Sequence, residues 1–323
     1  MKRPLILLLV LVALIGIYWI VEKSGKPTVE ADRPFVVVDS AKVTKLQVSA
    51  SGEDVELVKQ GDSWNVTKPV SYPAANKTVE TAVGKFKDMK KLALVTEKAD
   101  RFREFQVDDS AGTKVTVNDG KGNITLWLGK MSPTGNSYAR MDGSNQIWEV
   151  AGNNSGTFKR KAKDWRDKTI TDMNASDIRK ITLRYPDETV TAEKQDTLWS
   201  ISNGKQTFIG AKGPADRMTN LLSRMQCVDF ADTLPQNFFD SPAAVVTLET
   251  TTGTPIELKL VPKGGDSNQF FVRKTGAAAD FVIYKATADV LMKKIDDFKD
   301  QPPAKAAAEP GKGKAKAKAK AKG

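Results

Sequence analysis

Residues 43–66 read VTKLQVSASGEDVELVKQGDSWNV. Leu46/Val48/Ala50, Val55/Leu57 and Trp64/Val66 alternate with polar positions, and Gly52 and Gly61-Asp62 separate the three runs. Successive side chains of a strand point to opposite faces, so this period of two predicts half-buried antiparallel strands joined by tight turns. Downstream, Val79, Val83, Phe86 and Met89 share one face at helical spacing, with Lys85, Lys87, Lys90 and Lys91 elsewhere, which predicts an amphipathic helix. Two hairpins are then expected. Val115/Val117 and Ile124/Leu126/Leu128 flank Asn118-Asp119-Gly120, and Tyr138 to Met141 and Ile147 to Val150 flank Asp142-Gly143. Phe158, Ala162 and Trp165, at i, i+4 and i+7, predict a closing helix.

The same series recurs. Val43-Thr-Lys-Leu46 aligns with Ile178-Arg-Lys-Ile181, and Trp64-Asn-Val66 with Trp199-Ser-Ile201. Val115-Thr116-Val117 aligns with Val246-Thr247-Leu248, Leu126/Leu128 with Leu258/Leu260, and Tyr138-Ala-Arg140 with Phe271-Val-Arg273. Trp148/Val150 fall on Phe281/Ile283, and Phe158, Ala162 and Trp165 on Leu291, Ile295 and Phe298. The partner of the first amphipathic helix opens at Gly213-Pro214, a good helix start, and carries Met218, Leu221, Leu222 and Met225. Strands in sequence joined by hairpins and covered by two helices predict an α+β fold: two tandem copies of an antiparallel sheet domain with two packed helices each. The first copy spans 43–168 and the second 177–300. Trp64 and Trp199 are expected to anchor the cores of their sheets.

Outside the copies the chain changes character. After Met1-Lys2-Arg3-Pro4 an apolar run extends from Leu5 to Val21, ends in Tyr18-Trp19-Ile20-Val21 and meets Glu22-Lys23. As a helix its 17 residues reach about 26 Å, just short of a hydrocarbon core, and Lys23 can snorkel to close the gap. A cleaved signal peptide has a shorter apolar core with small residues after it, whereas bulky Ile17, Tyr18, Trp19 and Ile20 stand here. Residues 1–22 are therefore expected to form a cytoplasmic tip and a single transmembrane helix, with the bulk of the chain outside the cytoplasm. Residues 23–42, with Pro27 and Pro34, read as a stem. Residues 301–323 hold seven lysines against Glu309 and no apolar residue larger than alanine, and read as a disordered tail. Of the formal net charge of +11, most of the excess lies in that tail.

No catalytic, cofactor or metal site is legible. Histidine is absent, and with it the commonest general acid–base and His-dependent triads. Cys227, the single cysteine, excludes an intrachain disulfide and most zinc sites and reads as a small core residue. There is no phosphate-cradling glycine motif, and Gly264-Gly265-Asp266 reads as a hairpin turn. Asp108-Asp109 and Asp296-Asp297 are adjacent pairs whose members do not face one another. The Asn-x-Ser/Thr triplets at Asn65, Asn76, Asn123, Asn153 and Asn174 matter only in a glycosylating host. A Ser–Lys dyad or two distant carboxylates would leave only a spatial signature. Arg140 and Arg273 hold equivalent strand positions, each two residues after an aromatic. They are either a repeated pair of anion contacts or, as favoured here, structural arginines whose stems cover apolar surface. The reading is thus of a protein that is not an enzyme.

The repeat, together with Trp165-Arg166-Asp167-Lys168 joining its copies, resembles domain-of-unknown-function family 4340 over residues 1 to about 300. The resemblance implies a single N-terminal transmembrane helix before tandem antiparallel α+β domains. It also implies an association with bacterial ABC transporters of the kind linked to gliding motility and with their permease or auxiliary membrane proteins. The expectation is a non-catalytic, single-pass accessory or scaffold subunit of the bacterial inner membrane, held through Leu5–Val21 with its N-terminus cytoplasmic and its bulk periplasmic. An alternative is an envelope-polymer-binding module acting through the basic tail on anionic polymer or lipid. For a tail outside the cytoplasm, nucleic acid is the least fitting partner.

Overall fold

The computed structural model describes residues 15–16, 32–265 and 268–299. The expected membrane helix over Leu5–Val21 and the tail at 301–323 lie outside these residues. Among the described residues no helix is long and apolar enough to cross a membrane. The chain divides into two compact units after Lys168.

In the first unit the quoted stretch forms β1 (Lys45–Ala50), β2 (Glu53–Gln60) and β3 (Ser63–Lys68). The register is the one its alternation requires: Leu46 lies opposite Leu57 and Val48 opposite Val55, all of them buried. Ser51 and Gly52 both take positive φ, which matches the twist of a two-residue hairpin. With β4 (Tyr72–Pro73), β5 (Lys91–Thr96), β6 (Thr113–Asn118), β7 (Asn123–Met131), β8 (Ser137–Met141) and β9 (Ile147–Val150) they make one nine-stranded sheet, ordered β4-β3-β2-β1-β6-β7-β8-β9-β5. Helix α1 (Asn76–Lys85) lays Val79, Ala82 and Val83 on one face of it.

The second unit repeats this plan. Strand β10 (Thr169–Asp172) pairs with β15 (Arg224–Gln226). The large sheet holds β11 (Ile178–Arg184), β12 (Thr189–Gln195), β13 (Leu198–Ser202), β14 (Thr207–Ile209), β16 (Asp229–Phe230), β17 (Ala244–Thr250), β18 (Ile256–Pro262), β19 (Gln269–Lys274) and β20 (Phe281–Tyr284). Its order is β14-β13-β12-β11-β17-β18-β19-β20-β16, the order of the first sheet. Individual hydrogen bonds repeat as well. The Trp64 carbonyl accepts from Ala74 N at 2.9 Å and the Trp199 carbonyl from Gly210 N at 2.9 Å. The Trp165 carbonyl accepts from Ala75 N and the Phe298 carbonyl from Ala211 N, both at 2.8 Å. Trp64 and Trp199 are buried.

The balance is more β than the sequence pattern suggests, for identifiable reasons. Helix α1 stops at Lys85 and tightens into a 3-10 turn over Phe86–Asp88, which carries Phe86 into the core, with Met89 just beyond it. Lys90 and Lys91, read as the helix's polar side, instead lead into edge strand β5. The closing helices are broken. One ends at Phe158, and a separate 3-10 turn, Ala162–Asp164, follows. The break lets Ala162 N reach the Glu53 carboxylate at 2.7 Å and lets Trp165 pair with the sheet rim. In the second unit Lys285–Leu291 and Ile295–Phe298 are likewise separate. The second amphipathic helix is Pro214–Ser223; Met218 and Leu222 are buried on it, but Met225 belongs to β15.

The expected stem also needs correction. Phe35 and Val36 are buried in the first unit's core, and residues 32–35 bond to Met89 and Lys91 as an added edge. Those residues belong to the folded unit because their apolar side chains cover the sheet rim.

Candidate functional site

Each sheet has one face on the main core; the other is crossed by a strap. Residues 97–112 in the first unit and 231–243 in the second link an edge strand back to the centre of the sheet. In the first unit the strap carries two short turns, Ala99–Arg101 and Phe102–Phe105. Leu126 and Leu128 point into the main core, so Trp127 between them points outward, as do Tyr138 and Ile147. These outward residues pack with Phe102, Phe105 and Val107 of the strap in a second small core. Phe105 meets Tyr138 edge-on, with centroids 4.7 Å apart. Gly129 makes the close approach feasible: a Cβ there would collide with the Phe105 carbonyl and lie 2.7 Å from Val107 Cγ1.

Arg140 sits beneath this strap on β8. Its Nε donates to the Val107 carbonyl at 2.7 Å, and its guanidinium lies 4.2 Å from the Phe102 ring centroid and 5.0 Å from that of Trp127. Trp127 Nε1 in turn donates to Asp142 at 2.8 Å. Only 8% of Arg140 is exposed. Burial pushes its pKa down, and the charges of Asp142, Asp109 and Asp108 oppose that shift.

Arg273 performs the equivalent task on β19 with different chemistry. Nε and Nη2 bond to the two carboxylate oxygens of Asp280 at 2.8 and 2.7 Å, and Nη1 donates to the Gln236 carbonyl of the strap at 2.7 Å. Its guanidinium lies 4.4 Å from the Phe239 centroid. The Asp280 hydrogen bonds hold its pKa above the ordinary value. Both arginines therefore pin a strap carbonyl and stack on a strap phenylalanine. The two predicted arginines are brought to equivalent places within their own units.

The remaining sequence candidates have local work. Asp108 accepts from Ser110 Oγ and Ala111 N in the strap's closing turn. Asp296 pairs with Lys299 at 2.6 Å, while Asp297 accepts from Lys294 N at 2.8 Å. Cys227 is buried. Gly265 takes φ of 78° in the β18–β19 turn; Asp266 is outside the described residues. Among the described residues no group of three or more His, Cys, Asp or Glu could hold a metal ion. Beside the first strap two shallow grooves of about 350 and 330 Å³ share Ser49, Asp54 and Lys114 on the polar sheet face. In the second of them Glu56 accepts from Lys45 at 2.7 Å, Thr67 at 2.8 Å and Gln47 at 2.8 Å.

The sequence reading missed Phe102, Trp127 and Asp280. An outward tryptophan between two inward leucines was the available signal, because a large apolar side chain on both faces of a strand implies that both faces are covered.

No curated protein and no solved structure matches the chain. Residues 64–242, from β3 of the first sheet to the segment before β17 of the second, match the family model described as domain of unknown function (DUF4340). That match takes in more than half of the sequence, and the chain belongs to this family.

Proposed function

We propose that this protein is a membrane-anchored, extracytoplasmic accessory or scaffold subunit of an ABC-type transport system, without catalytic activity of its own. The observation that carries the reading is the apolar run Leu5–Val21 behind Lys2 and Arg3, which orients the rest of the chain outward. The repeated plan supports it: the sheets have helices on one face, straps on the other, and arginines committed to pinning the straps. Such units present surfaces rather than an evident reaction centre. The transporter association is the family-level expectation stated above, and the partner is a permease or an auxiliary membrane protein of such a system. Affinity purification from gently solubilised inner membranes tests it. Co-purification of a permease and an ATPase is the expected result, and recovery of neither overturns the transporter assignment.

The lysine tail favours a second reading, an envelope-polymer-binding module. Seven lysines against one glutamate in residues 301–323 give a salt-sensitive attraction to anionic polymer or lipid. Deletion of 301–323 separates the two: envelope binding lost with transporter co-purification intact assigns the tail its own role.

A further inference from the structure

The two copies serve as an internal comparison along the helix that each lays on its sheet. Val79, Ala82 and Val83 of α1 are buried where the second unit buries Ala215, Met218 and Thr219, and Phe86 and Met89 are matched by Leu222 and Met225. In this register Lys85, Lys87, Lys90 and Lys91 fall on Leu221, Ser223, Gln226 and Cys227. The second unit builds the same element without those four charges, so the fold does not require them. They occur in the copy that stands next to the apolar run Leu5–Val21.

These lysines lie along one surface ribbon. Residues 32–40 run back along 83–91. Asp32 N donates to the Lys91 carbonyl at 2.7 Å, Phe35 N to that of Met89 at 2.8 Å, and Ser40 Oγ to that of Val83 at 3.4 Å. Phe35, Val36, Phe86 and Met89 enter the core beneath, which leaves Arg33, Val37, Lys87 and Lys90 exposed and Lys85 half-buried on the outside. Residues 32–42 and 83–91 together hold six basic side chains against Asp32, Asp39 and Asp88. Lys91 is committed to the Trp148 ring, 4.4 Å from its centroid. Asp39 pairs with Lys42 at 3.2 Å and Asp32 with Lys90 at 3.0 Å, both in pairs open to water and therefore weak. Arg33, Lys85 and Lys87 have no carboxylate partner among the described residues.

The ribbon is also where the described fold comes nearest in sequence to the apolar run. Ten residues, 22–31, separate Val21 from Asp32, and at full extension they span at most about 35 Å. A bilayer that holds Leu5–Val21 is within reach of the ribbon. Val37, 77% exposed, adds an apolar side chain that suits the headgroup boundary.

We propose that this ribbon, through Arg33, Lys85, Lys87 and Lys90, is the face by which the first unit lies on an anionic phospholipid surface. Lipid phosphates supply the acceptors that Arg33, Lys85 and Lys87 lack, and Lys90 exchanges its exposed aspartate for one of them. The inference rests on the membrane-anchored reading and not on the transporter partner.

The test is lysine footprinting of the full chain, reconstituted into vesicles of phosphatidylcholine alone or of equal parts phosphatidylcholine and phosphatidylglycerol. A membrane-impermeant acylating reagent reads accessibility, and exposed Lys205 of the second unit is the reference. Lys85, Lys87 and Lys90 should be modified severalfold less in the anionic vesicles, and the difference should vanish in about 1 M salt. Equal labelling in both kinds of vesicle, with the protein retained through an alkaline wash, overturns the proposal and leaves the anchor standing. Release of the protein in that wash refutes the anchor and this inference with it. Deletion of 301–323 removes the other basic segment; protection should persist, and its loss assigns the contact to the tail instead. Lys85→Gln with Lys87→Gln should fold, since the second unit carries Leu221 and Ser223 at these places. The double variant should weaken protection of Lys90 by about fivefold for each lysine removed, and unchanged protection is disproof.

Discussion

At the scale of single residues, function here is the pairing of long charged side chains with backbone and ring partners. Asp280 is half of a fork that holds a strap, and its side chain is 12% exposed. Converting it to asparagine keeps the shape and removes the charge. D280N should cost about 2 kcal/mol, as expected for charge-assisted hydrogen bonds, read from urea unfolding of the detergent-solubilised chain. It should also open 231–243 to protease before the rest of the second unit. Glu56 gives a pH signature. The hydrogen bond from Lys45, then that from Thr67, holds its carboxyl at about 2, well below the ordinary 4.5. A depressed carboxyl binds its proton more weakly when folded, so its stabilisation is present above 4.5 and is lost as pH falls through about 2. E56Q should flatten that part of the acid limb and leave the protein less stable at neutral pH; an unchanged acid limb would contradict the Lys45–Glu56 assignment.

At the scale of elements, the strap is the informative piece. It stays on the sheet because β7 offers Gly129 beneath Phe105 and Val107. A methyl group there has no room. G129A should cost about 1–3 kcal/mol by overpacking. The loss should appear as faster hydrogen exchange over 97–112 and altered Trp127 fluorescence, with the β1–β3 amides unchanged. Equal acceleration across the whole first sheet would show that strap and main core are one cooperative unit. The broken closing helices carry the same lesson. The spacing of Phe158, Ala162 and Trp165 satisfies a helical wheel, yet three consecutive basic residues, Lys159-Arg160-Lys161, occupy the break. Glu53 and Ala75 draw the following turn onto the sheet instead.

At the scale of the whole molecule, the proposal rests on a division between an apolar N-terminal run and an exported pair of domains. Protease added to intact spheroplasts should digest residues 32–299. Protection there, with cleavage only after lysis, would refute the orientation. Both units must then meet the same compartment, and a chain with one buried cysteine needs no disulfide to do so. The identical strand order of the two sheets sets a strap at the same point of each, over an arginine that is ion-paired in the second unit and bonded to a backbone carbonyl in the first.

By itself the sequence determined the duplication, the antiparallel strands and their inward faces. Period-two alternation and turn residues are local, and a one-residue slip of register would turn every apolar side chain to water. The strap, the edge strands β4, β5 and β16 and the breaks in the closing helices were decided by tertiary structure. Their residues are held by partners far along the chain: Val107 by Arg140, Ala162 by Glu53, and Phe35 by the Met89 carbonyl. Arg140 and Arg273 were visible as equivalents in sequence. That one pairs with a carboxylate and the other with a backbone carbonyl alone depends on which side chain lies across the strand pair, Asp280 or Ile147, and a ladder is set only when the sheet has formed.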